Sequence, residues 1–246
     1  MHYLEHHIVD HCNLKCKGCT HFSPLADPWF EEVEDFKRDF GRLAEIMHVD
    51  VIRIMGGEPL LHPNVCEFLR ITRELFPDSQ IQLVTNGILM QLTEGLIETL
   101  NENKIIVCIS DYGIFKDLKR QLVGVQYAVV DRKGLMYNAC LNLNGDEFSD
   151  LSFGNCDLHV NHWNFFQNGR FYHCCIGANI KIFNKYFGKD LPVPEGISIY
   201  DHTEKEINDY LNTITPLCRF CDTIQRKNSY SKFEVSKKEI GEWTCQ

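Results

Sequence analysis

The sequence predicts an α/β fold built on a parallel sheet, with a small appendage at its C-terminal end. Three observations carry this reading. Short apolar runs alternate with amphipathic helical stretches over the first two-thirds of the chain. Near residue 145 that alternation gives way to an aromatic hairpin signal. Twelve cysteines stand among 246 residues, and seven of them form two spaced clusters, one in each region.

Strands are predicted over residues 4–10, 50–55, 80–85, 104–110 and 125–130, each a short apolar run. Between the first two, residues 31–48 place Val33, Phe36, Phe40, Leu43 and Met47 on one helical face. Residues 63–76 open on Pro63, which suits a first helical position, and carry Val65, Phe68, Leu69 and Leu75. Residues 93–103 start with Thr93, a good N-cap, ahead of Leu96, Ile97 and Leu100. Strand, helix, strand in repetition argues for parallel pairing through crossover helices, and periodicity leaves open sheet and closed barrel both available. Beyond residue 145, Phe165-Phe166-Gln167-Asn168-Gly169-Arg170-Phe171-Tyr172 sets aromatic runs on either side of Asn-Gly, a strong hairpin signal. A Pro/Gly connector over 191–196, a polar helix over 202–212 and a cysteine-bearing segment over 216–222 follow. The domains are accordingly read as 1–147 and 148–246.

Composition narrows the function classes. With 34 acidic against 25 basic residues the net charge is −9, which gives no broad electrostatic footprint for nucleic acid or an anionic membrane. Lys15/Lys17 and Lys237/Lys238 read as solvated surface. At 44% hydrophobic and 24% charged, the chain is neither disordered nor fibrous. Its length buries a core without disulfide staples. The start, Met1 to His7, lacks a basic segment followed by an apolar one, and no apolar run approaches the ~20 residues that cross a bilayer. The expectation is a cytoplasmic protein, whose clustered cysteines point to metal rather than disulfides.

Cys12, Cys16 and Cys19 form C-x3-C-x2-C directly after the first strand. Three thiolates on one short loop converge on one face of an iron–sulfur cube and leave its fourth iron without a protein ligand. A zinc site completed by His11 or His21 is the alternative, and chance clustering the third. After the second strand comes Met55-Gly56-Gly57-Glu58-Pro59. Two glycines let backbone approach a ligand closely, and Glu58 offers an acceptor to an ammonium group, although the run alone also reads as a plain turn.

Taken together, these two motifs resemble the radical S-adenosylmethionine (radical SAM) superfamily, over residues 4 to about 145. The resemblance implies a partial (β/α)6, TIM-like barrel. It implies that Cys12, Cys16 and Cys19 hold a [4Fe–4S] cluster whose open iron binds the amino and carboxylate groups of S-adenosylmethionine. Gly56, Gly57, Glu58 and Pro59 would then lie at the methionyl amine. Leu83-Val84-Thr85-Asn86-Gly87 and Cys108-Ile109-Ser110-Asp111 resemble the ends of the family's fourth and fifth strands, which puts Asn86 and Ser110 toward the cosubstrate; each also suits a turn cap. One position departs from the family: the aromatic residue usual before the third cysteine is Gly18, leaving Phe22 or backbone contacts to meet the adenine.

Cys156, Gly169 and Cys174 form C-x12-G-x4-C, and Cys218 with Cys221 forms C-x2-C, the spacing at which two thiolates reach one metal from one turn. Four cysteines close a coordination sphere, whether of structural zinc or of a saturated [4Fe–4S] cluster. The arrangement resembles the Twitch form of the SPASM appendage of radical SAM enzymes, which holds one auxiliary cluster, and its spacing is similar to that of the family's 2-deoxy-scyllo-inosamine dehydrogenases. Cys175 reads as a substitute for Cys174, as a hydrogen-atom donor or as a buried thiol. Cys66, Cys108 and Cys140 read as core, and His11 and His21 as hydrogen-bonding neighbours of the first cluster.

What the resemblance implies is an oxidoreductase with two [4Fe–4S] clusters that cleaves S-adenosylmethionine reductively to a 5′-deoxyadenosyl radical. The radical abstracts hydrogen from a small polar substrate (a sugar, a cyclitol or an aminoglycoside-like molecule), which is oxidised with the auxiliary cluster as electron acceptor. An electron donor such as flavodoxin or ferredoxin is implied, and neither nucleic acid nor membrane. Epimerisation with Cys175 as donor, and peptide modification, are the alternatives within the enzyme class. A zinc-stabilised binding protein is the alternative outside it. Since Cys218 and Cys221 lie in another segment than the first three cysteines, the two sites are expected to be separable.

Overall fold

Five strands pair in parallel in chain order. β1 (Tyr3–His7), β2 (Val51–Met55), β3 (Gln80–Thr85), β4 (Ile106–Asp111) and β5 (Tyr127–Asp131) lie side by side, with Tyr3 opposite Val51, Ile52 opposite Ile81, Leu83 opposite Val107 and Cys108 opposite Ala128. The computed structural model describes residues 3–114, 122–132, 136–228 and 230–245, so Met1 and His2 of the N-terminal run lie outside the described residues.

Helices α1 (Val33–Ile46), α2 (Val65–Leu75) and α3 (Leu96–Glu102) cross between the strands. The face expected on α1 is the buried one: Phe36, Phe40 and Leu43 pack with Leu4, Ile52 and Ile54 of the sheet, and the Phe36 and Phe40 rings stack at 3.9 Å. Two helix starts differ from expectation. Asn64, not Pro63, occupies the N-cap of α2, so the proline stays outside the helix. Gly95, at φ 69°, caps α3, while the Thr93 hydroxyl donates back to the Leu89 carbonyl at 3.2 Å. The first strand also stops at His7 rather than residue 10, because the chain beyond it turns to pair with the glycine-rich run after β2.

A sixth parallel strand comes from beyond residue 148. After the short β6 (Met136–Tyr137), β7 (Asn164–Gln167) pairs in parallel with the free edge of β1, Glu5 opposite Phe165. β8 (Arg170–Tyr172) returns antiparallel through Asn168 and Gly169, whose φ values of 51° and 66° suit a tight hairpin turn. β9 (Ile197–Ser198) adds to β8, giving the order β5-β4-β3-β2-β1-β7-β8-β9. The architecture is an open partial barrel, mostly parallel, whose sheet runs across the expected 147/148 boundary.

A second core lies on the appendage side. Between β6 and β7 stand α4 (Ser149–Gly154) and α5 (Asp157–Val160); α6 (Cys175–Phe187) follows the hairpin. α6 packs Ile176, Ile180 and Phe183 with Phe22, Phe165, Leu141 and Trp243. The polar helix α7 (Glu204–Leu211) opens on a reciprocal cap between Thr203 and Glu206. α8 (Thr223–Asn228) and β10 (Tyr230–Ser231) lead into a tail that returns to the barrel. There Lys17 N donates to Glu234 O at 2.9 Å and Ser236 N to Lys15 O at 2.8 Å. No described helix is long and apolar enough to cross a membrane.

Candidate functional site

The first cysteine loop is set by backbone geometry. Gly57 N donates to Val9 O at 2.7 Å and Glu58 N to His11 O at 3.1 Å, so the turn after β2 lies directly against the chain leading to Cys12. A Cβ on Gly56 would stand 2.2 Å from Val9 O, and one on Gly57 2.1 Å from His11 O. The glycines therefore serve a backbone-to-backbone approach, besides lining the cavity described below. Gly18, at φ 67°, leaves no room either: its Cβ would meet Asn138 Oδ1 at 2.3 Å and Glu242 O at 2.8 Å. Cys19 O accepts from Trp243 Nε1 at 2.9 Å, and Cys16 bridges to Val235, so the C-terminal tail holds the loop from outside. Phe22 is buried against Phe183 in the second core and does not line the cavity.

At the C-terminal ends of the parallel strands one cavity gathers Cys12, Cys16, Cys19, Gly56, Gly57, Asn86, Ser110 and Cys175. Glu58 and Pro59 sit behind it. The Glu58 carboxylate accepts from Thr85 Oγ1 at 2.6 Å, Asn86 N at 2.8 Å and Leu60 N at 3.1 Å, and burial pushes its pKa up to about 7. It fixes Asn86, whose Nδ2 donates to Asn13 Oδ1 at 2.7 Å and stands 3.9 Å from Cys12 Sγ.

Several residues of this cavity are absent from the sequence reading. Glu5 and Arg53 face each other in the β1–β2 register, and Arg53 Nη1 donates to the Tyr3 hydroxyl and to Glu5 Oε1. A charged residue at matching positions of two adjacent strands was the available signal. Cys108 is buried as expected of a core residue and also lines the cavity, its thiol beside Arg53. The Tyr112 hydroxyl hydrogen-bonds Cys16. Cys66 is half-buried near the Glu94 carbonyl, and Cys140 is buried beside the Cys245 thiol. Donor atoms of Glu5, His21 and Cys175 lie within 4.8 Å of one another. Glu5 already serves Tyr3 and Arg53, and His21 Nδ1 meets His7 Nε2 at 3.1 Å, so this group is a hydrogen-bonded floor beside a cation rather than a metal cage. His11 Nδ1 is buried without a partner among the described residues.

The second cysteine set converges too. Cys156 precedes α5, Cys174 caps α6 with its Sγ accepting from Gly177 N at 3.3 Å, and Cys218 and Cys221 flank one turn. The Cys221 thiol feels Cys174, Cys156 and Cys218, and Arg226 Nη2 donates to Cys156 Sγ at 3.0 Å. Burial pushes both the Cys12 and Cys174 thiols up to about 12, and thiol neighbours add to it. Neutral thiols packed this way become ligands together only when a cationic centre displaces their protons. Among the described residues, neither cysteine set brings three donor atoms within 4.8 Å of one another, whereas a zinc tetrahedron with ~2.3 Å bonds needs sulfurs about 3.8 Å apart.

An open α/β barrel thus gathers a three-cysteine loop, a Gly-Gly turn and polar strand ends at one mouth, a donor set that suits a metal cluster beside a polar ligand. Residues 7–113 match the Radical SAM superfamily model, and the chain carries a radical SAM domain. The family implies a [4Fe–4S] cluster and S-adenosylmethionine, and Cys12, Cys16 and Cys19 lie within the matched residues, lining one cavity. The GTP 3′,8-cyclase of Syntrophomonas wolfei is 29% identical over 114 residues, 43% of this chain and 33% of the cyclase. The chain thus spans about a third of that curated relative. Among solved structures, BtrN in complex with AdoMet and 2-DOIA is 17% identical, covers 89% of this chain and 92% of its own, and superposes with a TM-score of 0.53. Native anSMEcpe with bound AdoMet is 16% identical over 96% and 93%, with a TM-score of 0.54; its complex with AdoMet and the Kp18Cys peptide gives 0.51.

Proposed function

We propose that the chain is a radical SAM oxidoreductase acting on a small polar molecule, with a second [4Fe–4S] cluster held by Cys156, Cys174, Cys218 and Cys221. The observation that carries this reading is the single cavity where the three-cysteine loop, Gly56-Gly57, Asn86 and Ser110 meet the Glu5–Arg53 floor. Cluster and S-adenosylmethionine, when bound, supply a 5′-deoxyadenosyl radical that takes a hydrogen atom from substrate. The chain's own residues position that substrate. Glu5 and Arg53 offer a fixed acceptor and donor for hydroxyl or amino groups, and Trp163 lines the cavity beside them. BtrN, similar over nearly the whole length, is in complex with AdoMet and 2-DOIA. A four-cysteine centre has no open position for substrate, which leaves it electron exchange or a structural role and favours oxidation. A one-electron donor such as flavodoxin or ferredoxin would feed the first cluster.

Cys175 favours a second reading, because its buried thiol lines the same cavity: epimerisation with Cys175 returning a hydrogen atom. Anaerobically reconstituted protein should carry about eight irons and form 5′-deoxyadenosine with a member of a panel of sugars, aminocyclitols and peptides. An oxidised small molecule is the expected product. A substrate isomer carrying one solvent-derived deuterium, lost in Cys175→Ala, would establish epimerisation instead. Bound zinc in place of iron would overturn both.

A further inference from the structure

Two successive side chains of α8 clamp the start of α5. Lys227 Nζ stands 3.2 Å from the Asp157 carboxylate, and Arg226 Nη2 donates to Cys156 Sγ at 3.0 Å. The second contact is made inside the protein, where Arg226 is only 3% exposed.

Burying a guanidinium destabilises the fold unless acceptors or anions meet it. Burial opposes the charge on Arg226, whereas the sulfurs of Cys156, Cys221 and Cys174 and the hydrogen bond to Cys156 favour it, and on balance its pKa is raised. A neutral thiol is a weak acceptor, and a thiolate is the anion that suits a buried guanidinium. Arg226 is therefore matched to cysteines that have lost their protons, the state in which they ligate a metal.

Arg226 also lines the first cavity, beside Asp157, Leu158 and Cys175. None of Cys156, Cys174, Cys218 and Cys221 lines that cavity, so this side chain meets both the cavity and the second cysteine set. A positive charge and a hydrogen bond at a ligating sulfur stabilise the more negative, reduced state of an iron–sulfur centre and raise its reduction potential. We infer that Arg226 is a positioning residue that acts through Cys156, holding the second centre at a raised reduction potential from the wall of the first cavity. That role rests on the reading of Cys156, Cys174, Cys218 and Cys221 as the holders of a [4Fe–4S] cluster.

A full-length Cys12→Ala/Cys16→Ala/Cys19→Ala chain isolates the second centre and should carry about four irons after anaerobic reconstitution. In a redox titration followed by EPR, adding Arg226→Gln should lower the midpoint of that centre. At the parent's midpoint the ratio of reduced to oxidised centre should fall about tenfold, equivalent to ~59 mV for one electron. Arg226→Lys keeps the charge without the planar fork and should recover most of the parent's midpoint. The unsubstituted, eight-iron chain gives a measurement that does not depend on how a variant folds. With arginine labelled by 15N in its guanidinium, pulsed EPR of the reduced protein should show a 15N hyperfine coupling that Arg226→Lys removes. Absence of that coupling, or an iron-loaded Arg226→Gln chain with the parent's midpoint, overturns the role of Arg226 and leaves the cluster reading standing. An iron-free second centre overturns both.

Discussion

The Asn64 amide donates to His62 Nδ1 at 3.0 Å, and His62 Nε2 donates to the Glu31 carbonyl at 2.9 Å. These partners fix one neutral tautomer in a buried ring packed edge-on against Phe68. A proton on Nδ1 would face an N–H, and burial lowers the His62 pKa below its usual value. Below pH ~6.5 the unfolded chain therefore binds a proton that the folded chain refuses, and stability falls as pH falls. His62→Gln keeps an acceptor and a donor but does not titrate. The stability advantage of the parent over this variant should shrink between pH 7 and pH 5, by at most about 1.4 kcal/mol per pH unit, in urea unfolding at each pH. A constant advantage would mean that the ring is protonated in place. Single residues also mark where sequence reasoning stops. That Glu58 accepts hydrogen bonds was legible; that its donors are Thr85 and Asn86, rather than a ligand, depends on the β2–β3 pairing.

At the scale of elements, the turn after β2 shows why two glycines stand together. The atoms a Gly57 Cβ would meet are carbonyl backbone of His11 and Asp10, which has no rotamer by which to withdraw. Gly57→Ala should cost about 3 kcal/mol or more and spread the loop that carries Cys12. The expected result is loss of iron from the first centre, with about four irons left per chain in an anaerobic iron assay. An unchanged iron content would show that the loop shifts without harm. The strands, the helical face of α1 and the Asn168-Gly169 hairpin were legible because each is a local pattern of apolar spacing or turn chemistry. The edge that β7 joins was not, nor was the return of residues 234–236 to the cysteine loop. Contacts between residues 160 or more positions apart leave no periodic trace in either segment.

Across the whole molecule, those distant contacts bind the two cysteine centres mechanically. β1 is paired on both sides, by β2 within the barrel and by β7 from the appendage. The tail after Cys221 supplies backbone hydrogen bonds to residues 15–17 and the fully buried Trp243 against Cys19 O. The two cysteine sets therefore lie in separate segments but share their scaffold. Cys218→Ala/Cys221→Ala in the full chain should lower the iron content to about four and leave the first centre loaded, since the tail's contacts with the loop do not run through those thiols. A fragment of residues 1–147 loses the partner of β1's second edge and the brace on the cysteine loop together. It should hold fewer than half of the first centre's four irons after anaerobic reconstitution and melt without a cooperative transition. A fragment that kept its iron and melted cooperatively would place the stability of the first centre within the barrel alone. The β1–β7 pairing would then matter only for where the appendage sits.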